Sequence, residues 1–185
     1  QAVYSIVAIT DETTVDTISG SVVSGVTLKA SSNSIMVTPT TTLMVDGNLT
    51  AAQVVEVLNL PEGLDPLTFN AHAADVDLDK ALAVEKANQQ ILNVLNSFAA
   101  AAEGSGVVAS AAFQAAVSSL TEEITVKAAA NEKLDLSSSV ALTGVKSKME
   151  ATVNALAAKE TVMVGATTIK TTEFTATMTE TVKAA

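Results

Sequence analysis

Asp77 followed by LDKALAVEKANQQILNVLNSFAAAAE, residues 78–103, reads as one long amphipathic helix. Ala81, Val84, Ile91, Leu92, Leu95, Phe98 and Ala102 recur at helical spacings and form one apolar face. Lys86, Gln89, Asn93 and Asn96 fall on the opposite side. Leu78 and Leu82 lie off the apolar stripe, so the first turn is expected to meet a second neighbour. Asp77 stands where an N-cap belongs, and further acids nearby suit the positive end of the helix dipole.

Working outward, both flanks of this helix are also helical by pattern. Upstream, Thr50 opens TAAQ, a capping box in which the hydroxyl caps the helix and Gln53 reaches back. Val54, Val55, Leu58 and Leu60 give this short helix an apolar side, and Pro61 with Gly63 ends it. Downstream, Phe113, Val117, Leu120 and Ile124 mark a helix over about residues 110–130, and Leu142, Val145, Met149, Val153 and Leu156 mark another over about 138–158. Short connections favour antiparallel neighbours, so residues 50–158 are expected to form a four-helix bundle with one short member.

The ends of the chain have strand character. Residues 2–10, AVYSIVAIT, are rich in β-branched side chains; SGSVVSGVTLKA and SIMVT follow, and PTTTLMVDG at 39–47 reads as a joint. Near the C-terminus Phe174, Ala176 and Met178 alternate with Glu173, Thr175, Thr177 and Thr179. The expected fold is therefore α+β. The strand-rich N- and C-terminal segments, 1–47 and 159–185, form one discontinuous sheet or sandwich, and an Ala-rich antiparallel helical bundle, 48–158, is inserted between them.

Composition bounds the function. The chain has 185 residues, 48% of them hydrophobic, enough for a proper core, yet only 3% are aromatic. Such a core rests on Ala, Val, Leu and Ile and offers few stacking platforms for bases, sugars or flat cofactors. The formal charge is −10 and every cation is a lysine, so repulsion opposes nucleic acid and no guanidinium fork is present to read it. No cysteine is present, which excludes disulfides and thiolate chemistry. No apolar run approaches the length of a bilayer span. Gln1 at the start reads as a processed chain or a piece of a longer one.

Few residues carry chemistry. Asp75, Asp77 and Asp79 alternate as at the start of a calcium loop, but Lys80 stands at the required glycine and Lys86 at the required glutamate. Helix capping is the first reading of these aspartates, with calcium coordination as the alternative. His72 is the single histidine and cannot build a His-based zinc site alone; a structural loop role is expected. Glu122 and Glu123 read as solvated helix faces. Asn48-Leu49-Thr50 is formally a glycosylation acceptor, in competition with the capping role of Thr50.

Residues 20–105 resemble a module that recurs in very large repetitive surface proteins of aquatic bacteria, including adhesins exported by type I secretion. The matching motifs are GVTL at Gly25–Leu28, VTPTTTL at Val37–Leu43, LNLP at Leu58–Pro61, DPLTF at Asp65–Phe69 and the Ala-rich helix that follows. Thr40 stands where the module usually has Leu, and Asn59 where it has Gly. The resemblance implies an extracellular structural or adhesive role and supplies no catalytic residue.

The expected function is that of a non-enzymatic extracellular or cell-surface structural protein, a fibre or sheath subunit or one module of a long surface protein. It would self-assemble into a homo-oligomer or polymer by strand pairing through Val3, Ile6 and Ile9 at one end and Phe174, Ala176 and Met178 at the other. The alternative is an adhesin module that holds a peptide or glycan, with or without calcium. No other cofactor, nucleic acid or membrane span is expected.

Overall fold

In the computed structural model, which describes residues 4–15, 20 and 22–163 with side chains up to Leu156, Asp77 caps the central helix as its sequence requires. That helix runs Leu78–Gly104. Thr50 caps a helix over Ala51–Val57, and the Gln53 amide returns the bond to the Thr50 N–H at 2.9 Å. Two longer helices follow the central one, Ala109–Ala130 and Thr143–Met163.

Ahead of these, Pro39–Gly47 is also a helix. Thr38 is its N-cap, Pro39 occupies the first helical position where a missing N–H costs nothing, and Thr41 closes a capping box. Numbered in chain order, the helices are α1 (Pro39–Gly47), α2 (Ala51–Val57), α3 (Leu78–Gly104), α4 (Ala109–Ala130) and α5 (Thr143–Met163). A single antiparallel ribbon, β1 (Ser5–Ile9) with β2 (Thr27–Ser31), pairs Ile6 with Ala30 and Val7 with Lys29.

The expected strand-rich sheet or sandwich is therefore corrected: among the described residues the chain is mostly helical and its sheet has two strands. Residues 34–38, SIMVT, make no ladder, because the Ile35 N–H donates to the Leu67 carbonyl at 2.9 Å and the Ser34 hydroxyl to the Met36 carbonyl at 2.8 Å. The joint at 39–47 is α1, and 159–163 continue α5. The C-terminal strand expected around Phe174, Ala176 and Met178 lies outside the described residues.

α3 and α4 form the most extensive helix pair, and α4 also packs on α1, α2 and α5. Phe98 and Phe113 are the buried aromatics of this core, surrounded by Ile91, Leu95, Val117, Leu120 and Ile124 and by alanines 99, 101, 102, 112, 115 and 116. Leu78 and Leu82, expected to meet a neighbour, are 78% and 70% exposed.

Two close approaches fix the packing. A Cβ on Gly47 would meet Thr121 Cβ at 2.9 Å, so α1 touches α4 backbone to side chain. Gly144 lies against the carboxylate of Glu123, which was expected on a solvated face but is only 5% exposed. Lys148 donates to Glu123 Oε2 at 2.6 Å, closing α4 onto α5 with a compensated charge.

Gly144→Ala drives a methyl group into a carboxylate that cannot leave without exposing Lys148 unpaired. It is expected to destabilise the chain by about 1–3 kcal/mol, read as a lower urea midpoint with an unchanged slope.

Candidate functional site

The three consecutive threonines of α1 hold the ribbon. Thr42 Oγ1 accepts from the Lys29 N–H at 2.9 Å, and the Thr41 hydroxyl donates to the Lys29 carbonyl at 2.8 Å. The Thr40 hydroxyl donates to Asn88 Oδ1 of α3 at 2.7 Å, with both residues buried. Lys29 adds an ion pair to Asp46 at 2.7 Å. The outer edge of β2 is thus closed at its centre by side-chain hydroxyls.

Ladder parity then determines the other edge. Because the N–H and C=O of Lys29 face α1, Val7 and Lys29 form a pair without mutual hydrogen bonds. The Thr10 N–H, bonded to the Val26 carbonyl at 3.0 Å, has the same alternation. The backbone groups of Ser5, Val7 and Ile9 consequently point away from β2, and among the described residues no strand lies beyond them. All five β1 side chains are exposed, with Ile6 at 38% and Ile9 at 76%. Of the expected assembly residues, Ile6 and Ile9 lie on β1; Val3, Phe174, Ala176 and Met178 lie outside the described residues.

The aspartate run is a helix start. Asp77 Oδ1 accepts from the N–H groups of Asp79 and Lys80 at 3.1 and 3.2 Å, while Asp75 and Asp79 are exposed. Among the described residues, no three His, Asp or Glu side chains are placed to hold a metal ion together. His72 Nε2 lies 3.7 Å from Glu85 Oε1, with the imidazole 65% exposed.

A second surface feature runs along the polar side of α3. Two adjoining hollows of about 510 and 360 Å³ share Gln90, Leu136 and Ser137. Their α3 wall presents Lys86, Gln90 and Asn93; the facing wall is Asn59 after α2 and Lys133, Asp135 and Ser137 between α4 and α5. Buried Leu60, Ala87, Val94, Leu134 and Leu136 form the floor. The walls are tied together: the Leu134 N–H donates to the Val57 carbonyl at 2.8 Å, and Lys133 Nζ donates to Asn59 Oδ1, with Asn59 in the left-handed region at φ 52°.

The electrostatics of this groove differ from the rest of the surface. Lys29, Lys127, Lys146 and Lys148 each hold a carboxylate, whereas Lys80, Lys86 and Lys133 have no ion-pair partner among the described residues. Two of those three line the groove. Its carboxylate, Asp135, is held below the ordinary aspartate range, chiefly by the Ser137 hydroxyl at 2.6 Å, then by the Ser137 N–H, with a smaller contribution from the charge of Lys86.

Sequence reasoning places Asn93 and Asn96 on the solvent side of α3 but does not bring the 133–137 connection opposite them. The signal available was the pair Leu134 and Leu136, apolar residues at alternate positions in a polar connection, which are the side chains that anchor it.

In comparisons with protein families, curated proteins and solved structures, the chain matches none.

Ser137→Ala removes the strongest bond that stabilises ionised Asp135. The titration midpoint of Asp135, followed by carboxyl-carbon NMR, is expected to rise toward the usual value while staying below it, because the residue 137 N–H remains.

Proposed function

We propose that the chain is a non-enzymatic extracellular building block, a fibre or sheath subunit or one module of a long surface protein, joined to neighbouring copies by strand addition at β1. The observation that carries this reading is the outward edge of Ser5, Val7 and Ile9, a row of donors and acceptors with no partner among the described residues. Exposed edges are normally blunted by charge, proline or a bulge within the strand. SIVAI has no charge and no proline and pairs residue for residue with β2. Strand addition draws affinity from the backbone and specificity from alternate side chains, and here Ile6 and Ile9 flank the edge on opposite faces.

The proposed donor is the segment Phe174–Val182 of a neighbouring copy, whose Phe174, Ala176 and Met178 keep a two-residue alternation that suits a strand with one apolar face. A structural rather than catalytic role is supported by the employment of the charged groups: the pairs Lys29–Asp46 and Glu123–Lys148 join elements, and the only histidine is at the surface. The resemblance of residues 20–105 to modules of bacterial surface proteins supports the extracellular setting.

Val7→Pro tests the edge without touching the ribbon's own ladder, since the N–H it deletes faces away from β2. Oligomers of the native chain are expected to collapse to monomer by light scattering and negative-stain imaging, with helical circular dichroism retained. Polymers unchanged by this variant, or a native chain that stays monomeric at every concentration, would remove β1 from the mechanism.

A further inference from the structure

We infer that the groove between α3 and the α4–α5 connection is a binding site for an acidic saccharide chain, recognised through its carboxylates and hydroxyls rather than by ring stacking. This site is distinct from the β1 edge and does not depend on it. Three observations on the same surface carry the inference: its charge, its side-chain inventory and its shape.

The charge comes first. On a chain of net charge −10, two of the three lysines that have no ion-pair partner among the described residues face one hollow, Lys86 from α3 and Lys133 from the opposite wall. The single carboxylate among them, Asp135, already has Oδ1 occupied by the N–H and hydroxyl of Ser137. An anionic group entering between the two ammonium heads finds donors there, as carboxylates require.

The inventory comes second. Gln90, Asn93 and Asn96 each combine two N–H donors with a carbonyl acceptor, and Ser97 and Ser137 add hydroxyls. A sugar hydroxyl, itself both donor and acceptor, is matched by such amides at every orientation. An extended peptide would need free backbone N–H and C=O groups along one wall, and a helical wall has already used its own. Nucleic acid would need aromatic platforms that the groove lacks.

The shape comes third. Ala83 to Ser97 on α3 spans about 20 Å of helix, so the two hollows together suit an oligomer rather than a single sugar. Half-buried Leu58 offers a small apolar surface for the C–H side of a ring.

The test is calorimetry and amide NMR on the full chain with three probes: a tetragalacturonate, a neutral tetrasaccharide of glucose and a tetraglutamate. The tetragalacturonate is expected to bind, to shift the amides of Gln90, Asn93 and Ser137, and to weaken as salt rises. Lys86→Gln with Lys133→Gln is expected to cost about a hundredfold in affinity, each charge-assisted contact being worth about a decade. Both lysines are exposed, so circular dichroism of the double variant should be unchanged. No shift along α3, equal binding of the neutral sugar or of the glutamate peptide, or a double variant that binds as before would each overturn the inference. Val7→Pro should bind the tetragalacturonate normally, which separates this site from assembly.

Discussion

The structure depends on how closely two helices can approach when almost nothing large lies between them. α3 and α4 contribute Phe98 and Phe113 to the core and otherwise fill it with alanine and branched aliphatics. Alanine loses little conformational entropy in a helix and adds little bulk, so backbones draw near and each buried atom makes many short dispersion contacts. Such packing tolerates few added atoms. Gly47 against Thr121 and Gly144 against Glu123 are where neighbouring helices exploit that closeness, and the Glu123–Lys148 pair is a polar contact at its margin.

A tight helical core leaves the ribbon with little surface to rest on, and the threonine run resolves this. Thr40, Thr41 and Thr42 are all buried, yet each hydroxyl has a partner: one on α3, and two on Lys29 of β2. One turn of α1 thereby joins the bundle to the sheet and completes its own cap. That dual use accounts for why PTTTLMVDG reads poorly from sequence. All five residues from Thr38 to Thr42 are β-branched or proline, which argues against helix by propensity, while Thr38, Pro39 and Thr41 argue for a helix start by capping geometry. Tertiary bonds to Lys29 and Asn88 decide in favour of the cap.

What the chain reveals in advance follows the same division between local and distant causes. The central helix, its Asp77 cap, the Thr50 capping box and the two later helices rest on periodicity and neighbouring residues, and they are legible. α5 starts at Thr143 rather than near 138, because Ser138 and Val140 first accept turn bonds from Leu142 and Thr143. Residues 34–38 have strand composition, but the Ile35 N–H finds its partner in a loop over thirty residues away, at Leu67. Glu123 looked solvated because its partner Lys148 belongs to another helix. The groove was invisible for a like reason: one wall is an ordinary polar helix face, and only the docking of Leu134 and Leu136 puts lysine and serine opposite it.

The closed flank of β2 has a directional consequence. With Lys29 sealed by threonine hydroxyls, the ribbon has one mouth among the described residues, the β1 edge. Sheets open on both flanks can add strands in two directions, as amyloid-like stacks do. A one-mouthed ribbon can add them in one direction only, so any chain of such units would have a head and a tail.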